Sequence, residues 1–357
     1  MSYTTTAHIN LDALQHNVAR VKELAPDCRV VGMVKAMAYG HGLLTIAHAL
    51  ESVDALGVAR IHEALQLRKA GIKKPIVLME GFFETWELPI IVEHQLDLVI
   101  HQVEQLHALT QARLASPIHV WLKLDSGMHR LGLPPDQFIM AWQALHKSRN
   151  VKEDIILMTH FASADELDND YTNQQIKLFN AITRDLPGPR SLANSAAIMQ
   201  WPTSHGDWVR PGIMLYGISP FTDKTGTELG LQPVMTLQSR VLSIHQQQAG
   251  DAIGYGGTFI CPENMPIALV AIGYGDGYPR YIPTTGTPVL VNDQLTQVLG
   301  RVSMDMICVD LRNIQPPHLG DRVTLWGDGL PVEHIARAAN TSPYELVCGV
   351  TSRVEFE

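Results

Sequence analysis

The sequence predicts an α/β fold, an eight-stranded parallel β/α barrel followed by a mainly β C-terminal domain. Three observations lead there. Short apolar runs alternate with amphipathic stretches as far as about Gly217, as in a sheet whose strands are each followed by a helix. Polar or reactive residues recur where those runs end, namely Lys35, Glu80, His101, Asp125, His160 and Asn194 with Ser195, and barrel active sites are built at that edge. Beyond Tyr216, glycine, proline and β-branched residues become more frequent, which marks strands and turns. A doubly wound sheet is the alternative for the first part.

In chain order, Ala7 to Asn10 reads as a short strand and Asp12 to Leu24 as a helix. The candidate barrel strands are Val30 to Lys35, Ala55 to Ala59, Pro75 to Glu80, Leu96 to Ile100, Ile118 to Asp125, Ile155 to His160, Ser191 to Ser195 and Ile213 to Gly217. Between them, Ile61 to Ala70, Gln102 to Leu114, Pro135 to His146 and Gln174 to Leu186 carry apolar residues at helical spacing. Later strands are expected at Met235 to Ile244, Ile267 to Ile272, Pro288 to Asn292, Gln297 to Val302, Met306 to Asp310 and Arg322 to Trp326, with a hairpin turn at Val291 to Gln294. Helices follow at Val332 to Ala339 and Pro343 to Cys348. Proline, glycine, threonine and aspartate cluster between Ser219 and Gly230, so the barrel is assigned to residues 1–225 and the β domain to 226–357. Residues 1–10 are candidates to pair with the latter.

The composition narrows the function. With 46% hydrophobic and 18% charged residues in 357, the chain is globular, and a net charge of −9 argues against a nucleic-acid partner. Neither a leader nor an apolar stretch of spanning length stands out, so a cytoplasmic protein with no membrane partner is expected. Cys28, Cys261, Cys308 and Cys348 lack metal-ligand spacing, and no metal is expected.

The stretch VVGMVKAMAYGHG, from Val30 to Gly42, concentrates chemistry. Its apolar run delivers Lys35 to a strand end, where desolvation lowers an amine's pKa and favours attack on an aldehyde. A strand-end lysine reaching solvent is the plain alternative, and the Tyr39-Gly40-His41-Gly42 tail argues against it. His41 and His160 could equally be structural, as could Asp125, Asp276 and Asp305 as turn anchors. Barrels tend to bind phosphate near their last two strands, which points to Ser195 and to Arg210 through Ile213.

These segments also have a family likeness. VKAMAYGHG, LDSGMHRLG at 124–132, THFASADE at 159–166, NSAA at 194–197, RPGIMLYG at 210–217, IGYGGTF at 253–259, GYGDGYPR at 273–280 and GRVSMDM at 300–306 together resemble bacterial alanine racemases, in that family's order. The resemblance implies a TIM-type barrel with a C-terminal β domain, pyridoxal 5'-phosphate as cofactor, and a homodimer with shared active sites. Lys35 is similar to the lysine that holds the cofactor as a Schiff base, and Tyr255 to the second base, supplied by the other subunit. Arg210 resembles the arginine facing the pyridine nitrogen, and His160 the histidine bonded to it. Tyr39, Asn194, Ser195, Gly212 and Ile213 match cofactor-binding positions, chiefly for the phosphate. Arg130, Tyr274, Met304 and Asp305 match substrate-side positions, and Lys123 one that is carbamylated in some members. Two positions depart: Met37 stands where many members have Asn or Asp, and Ser352 where some have a tyrosine that reaches the phosphate.

The chemistry such a family performs suits these residues. Racemisation removes a proton from one face of Cα and returns one to the other, which calls for two acid/base groups. Lys35 serves one face and Tyr255 the other, with Arg130 as the cation that lowers the phenol's pKa from about 10. An arginine at the ring nitrogen cannot give up its proton, which weakens the cofactor as an electron sink. The expected activity is interconversion of L- and D-alanine, either supplying D-alanine for peptidoglycan or degrading alanine. The alternatives are an amino-acid decarboxylase of the same barrel class, a racemase of broader specificity that includes serine, and a non-catalytic cofactor carrier. The carrier type ends with the barrel, whereas this chain continues to Glu357.

Overall fold

The computed structural model describes residues 5–357, so the first four residues of the expected N-terminal pairing segment lie outside the described residues. The chain forms two compact units. One comprises Asn17–Ala38 and Leu43–Leu215; the other combines the segment ending at His16 with Tyr39–Gly42 and Tyr216–Glu357.

The first unit is a parallel barrel of eight strands: Arg29–Met33, Ala55–Val58, Ile76–Leu78, Asp97–Ile100, Val120–Lys123, Ile156–Met158, Arg190–Ser191 and Trp208–Val209. Each pairs with its successor as far as the seventh, and the eighth pairs back onto the first through Arg29 and Val30. Two backbone bonds close the remaining seam, Asp207 N–H to the Arg190 carbonyl at 2.8 Å and Arg210 N–H to that of Ala193 at 2.9 Å. The central strands are buried along their whole length, which explains why they read as continuous apolar runs rather than as alternation. At their N-terminal ends Asp97 accepts from Trp121 Nε1 at 3.2 Å and lies 2.9 Å from His119 Nδ1, a stabilising cluster on the edge opposite the expected site.

One expected strand is corrected. The eighth strand is Trp208–Val209, and Ile213–Tyr216 is a 3₁₀ turn beyond it. Pro211 has no N–H for a ladder, so pairing ends before it, and Arg210 becomes the strand-end residue. The seventh strand likewise stops at Ser191, because Asn194 accepts the Ala197 N–H and caps the helix Ser195–Gln200. Other boundaries shift by a few residues, as with the helix that begins at Tyr171.

The second unit is built on an eight-stranded sheet. Thr6–Ile9 pairs antiparallel with the long strand Met235–Gln247 and parallel with Glu355–Phe356. The hairpin at 291–294 turns through Asn292 and Asp293, both at positive φ (46° and 63°), a conformation that Asn and Asp tolerate. A smaller hairpin, Ala252–Ile253 against Phe259–Ile260, carries Tyr255. Ile253, Cys261, Met265, Ile267, Leu299 and Cys308 pack beneath it. Among the described residues no helix is long and apolar enough to cross a membrane.

Candidate active site

Lys35 leaves the C-terminal end of the first barrel strand, and the chain then turns with the unusual hand. Ala36, Met37, Ala38 and Tyr39 have φ of 53°, 55°, 56° and 52°, a left-handed helical turn. Left-handed backbone costs roughly 1–2 kcal/mol per non-glycine residue, so bonds must hold it. Ala38 N–H reaches the Val34 carbonyl at 2.9 Å, and Ala36 N–H reaches Glu63 Oε1 at 2.7 Å. Gly40 continues at φ 80°, where a Cβ would lie 2.0 Å from the Val347 carbonyl oxygen. The turn suits the Asn or Asp of many members at this position, since those side chains enter the left-handed region far more readily than others, and nothing in the structure explains methionine there. Because Met37 is 56% exposed, little packing opposes a change. Met37→Asn is therefore expected to stabilise the protein by about 0.5–1 kcal/mol, seen as a higher urea midpoint at unchanged slope.

At the eighth strand's end Arg210 is 4% exposed, and its Nη atoms are taken up by the protein. Nη1 donates to the Ser191 carbonyl (2.8 Å) and hydroxyl (2.7 Å); Nη2 donates to the carbonyls of Thr159 (2.6 Å) and Leu192 (3.1 Å) and to His160 Nδ1 (3.2 Å). Its Nε–H makes no hydrogen bond among the described residues. Burial brings its pKa down to about 10, still well above neutrality. An arginine only donates, so His160 accepts at Nδ1 and carries its proton on Nε2. Burial first, then Arg210, Lys123, Arg130 and Lys35, hold the His160 pKa well below the usual value, and the ring is neutral.

Lys123 ends the fifth strand and is 7% exposed. Burial, with Arg210, Arg130 and Lys35 nearby, lowers its pKa to about 7 against the opposing pull of Asp125. Arg130 is exposed on the loop that returns through Leu133. Asp125 is occupied locally, Oδ1 accepting from the backbone N–H groups of Gly127 and His129 at 3.0 Å each, and is a turn anchor. The rim thus gathers Lys35, Lys123, Arg130 and Arg210 with little compensating negative charge. Such an arrangement suits anionic ligands.

The last two barrel strands bring Ser195 to the segment after Arg210. Ser195 Oγ accepts from the backbone N–H of Gly212 at 2.9 Å and of Met214 at 3.4 Å, which gathers Ser195, Gly212 and Ile213 in one corner. Asn194 uses its Oδ1 on the helix cap, leaving its amide nitrogen for other partners. In the second unit Tyr39 stacks on Tyr216 with ring centroids 5.0 Å apart. Burial, reinforced by Tyr344 and Cys348, raises the Tyr39 pKa, so the phenol keeps its proton and can only donate to an anion. His41 is buried, its Nδ1 2.8 Å from the Tyr39 carbonyl and its ring 4.5 Å from Tyr216, in agreement with a structural role.

Tyr255 stands 69% exposed between Gly254 and Gly256, both at positive φ. Tyr274 N–H bonds the Ser303 carbonyl at 3.0 Å and Gly275 N–H that of Met304 at 2.9 Å, bringing Tyr274, Met304 and Asp305 together. Sequence reasoning missed what holds this group: Arg353 reaches Asp276 at 3.2 Å and Asp305 at 2.8 Å. Asp276 also accepts the Gly273 N–H, so it too is a turn anchor. Glu63 and Ser191 were missed as well. Glu63 at the third position of a helix is only a weak signature when an arginine, not serine or threonine, precedes the helix.

A closed β/α barrel with a lysine at the end of its first strand and a basic rim that suits an anionic group, followed by a β domain, has the architecture of a barrel enzyme. Comparison with known proteins specifies which. Residues 9–220 match the family description "Alanine racemase, N-terminal domain" and residues 234–357 match "Alanine racemase, C-terminal domain". Alanine racemase of Vibrio cholerae is 51% identical over 351 residues, covering 98% of this chain and 97% of that one. The biosynthetic alanine racemase of Escherichia coli is 50% identical over 353 residues, covering 99% and 98%. The solved biosynthetic alanine racemase of Pseudomonas aeruginosa superposes with a TM-score of 0.96 at 43% identity, covering 100% of this chain and 99% of that one. The chain belongs to the alanine racemase family, whose members are isomerases.

Proposed function

We propose that the chain interconverts L- and D-alanine with pyridoxal 5'-phosphate as cofactor, by a two-base mechanism in a homodimer whose subunits share active sites. Arg210 is the observation that carries this reading. A buried guanidinium with both Nη atoms committed to protein acceptors, and with Nε–H left over on the rim that bears Lys35, fits a ring nitrogen that must be bonded without being protonated. The other donors fit the same cofactor. Ser195 and the backbone of Gly212 and Ile213, with Asn194 and the Tyr39 phenol, would hold its phosphate. When bound, the cofactor supplies an aldehyde for an amine and a ring that draws electrons from Cα.

Lys35 takes up or returns the Cα proton on one face, and Tyr255 of the partner subunit does so on the other. Arg130 meets the substrate carboxylate, and Tyr274, Met304 and Asp305 border the substrate side. His160, neutral, keeps Arg210 oriented through Nδ1. The barrel-class decarboxylase reading lacks a counterpart for the two-domain match to alanine racemases. The test is incubation with L-alanine and added cofactor in deuterated water. D-alanine with deuterium at Cα and no carbon dioxide is expected; carbon dioxide without D-alanine overturns the assignment. A parallel panel that includes serine measures breadth. Similarity to the biosynthetic Escherichia coli enzyme supports D-alanine supply for peptidoglycan, and rescue of a D-alanine auxotroph checks it.

Lys123 is proposed to be carbamylated. With a pKa of about 7, much of the amine is uncharged near neutrality, and its nitrogen can attack carbon dioxide while a proton leaves to solvent. The carbamate would give Arg130 and Arg210 an anion. Below pH 7 the amine is mostly protonated and unreactive, so stimulation of activity by bicarbonate should increase as pH rises through about 7. Equal response at all pH values, with no carbon dioxide adduct on Lys123 by native mass spectrometry, removes this role.

A further inference from the structure

Glu63 lies in the first turn of the helix Ile61–Lys69, 7% exposed, and its two oxygens face different elements. Oε2 accepts from the backbone N–H groups of Ala59 at 2.8 Å and Arg60 at 3.1 Å, as a capping residue does. Oε1 accepts the Ala36 N–H at 2.7 Å, across 27 residues of sequence. Helix capping needs the first set only. The Ala36 bond serves the other partner: it holds the peptide plane between Lys35 and the left-handed turn. Among the described residues Glu63 forms no salt bridge, so all its bonds go to backbone N–H groups.

We propose that Glu63 is a positioning residue for Lys35, fixing through the Ala36 N–H the peptide plane from which the lysine side chain is launched. This deepens the reading of Lys35 as the cofactor-holding base and rests on it. A left-handed turn of non-glycine residues relaxes when one of its anchoring bonds is removed, and relaxation rotates the Lys35 Cα–Cβ direction. A misdirected amine meets an aldehyde, or a Cα proton, less often in reactive geometry. Carboxylate in place of amide matters here: an amide presents one oxygen and one NH₂, and three N–H donors surround the site.

The experiment compares the unaltered protein with Glu63→Gln and Glu63→Asp. Glutamine can keep its oxygen on Ala59 and Arg60 and turn its NH₂ toward Ala36, breaking only the bond to the lysine turn. Aspartate keeps the charge and is one methylene short of Ala36, and it supplies the comparison if the glutamine variant does not fold. Cofactor is removed, pyridoxal 5'-phosphate is added back, and capture is followed by visible absorbance; borohydride fixation and peptide mass analysis then locate the adduct. The expected result is an adduct on Lys35 in every variant, with capture slowed roughly 10–100-fold in both substitutions and the melting temperature lowered, because the partly buried bond from the Ala36 N–H loses its acceptor. The α-deuterium isotope effect on racemisation should also rise in one direction only, that in which Lys35 removes the proton. A merely structural role would leave the isotope effects of the two directions unchanged relative to one another. Capture at the unaltered rate with unchanged isotope effects overturns the proposal. An adduct on a different lysine in the unaltered protein overturns the reading of Lys35 itself, and Glu63 with it.

Discussion

Tyr255→Phe is expected to lower racemisation by about 10³-fold while leaving fold and cofactor content unchanged. The phenol is 69% exposed on its hairpin, so loss of the hydroxyl should change stability by no more than about 0.5 kcal/mol. The packing that holds the hairpin, from Ile253 and Phe259 to Cys261 and Cys308, does not involve that oxygen. Chemistry on one face should survive. In deuterated water one enantiomer of alanine should still exchange its Cα proton with retention, through Lys35, while the other scarcely exchanges. Full racemisation in this variant would remove the two-base reading; loss of exchange from both enantiomers would assign Tyr255 a different role.

Arg210→Glu should have the largest combined effect. Arg210 donates five hydrogen bonds, to Ser191 (carbonyl and hydroxyl), Thr159, Leu192 and His160. A carboxylate there takes a donor from each of those acceptors, the Ser191 carbonyl keeping only the Thr159 N–H, and adds a negative charge among three carbonyl oxygens. A stability loss of about 3–5 kcal/mol follows. In the fraction that folds, the ring nitrogen would gain a carboxylate able to keep it protonated, so transamination should increase relative to racemisation. Alanine and pyruvate analysis together measure both. If pyruvate does not increase per D-alanine formed, the arginine is not what suppresses the side reaction.

Legibility differed from residue to residue. Lys35 was readable because an apolar run ends on it and a tyrosine-glycine-histidine-glycine tail follows. Barrel position marked the segment from Arg210 to Ile213, but the place of Arg210 at the ring nitrogen was readable only by family likeness, since nothing local distinguishes an arginine before proline from one on the surface. The eighth strand was misplaced because Ile213 to Tyr216 is apolar and fully buried, as a strand would be, yet lies beyond the Pro211 break. The Asn or Asp that many members have at position 37 resisted explanation until the backbone was known. The φ of 55° at Met37 is what asks for asparagine or aspartate.

By itself, the sequence determined the order of strands and helices, the lysine at the first strand end, the change of texture near residue 220 and the motifs that identify the family, because periodicity and turn chemistry report on near neighbours. Tertiary structure alone decided the hand of the turn after Lys35, the acceptors that consume Arg210, the shared burial that brings Lys123 down to about 7, and the carboxylate of Glu63 on Ala36. Each of these depends on groups from different strands, or from the turns and helices that follow them, meeting at one barrel edge. Local pattern does not encode such encounters; closure of the barrel does.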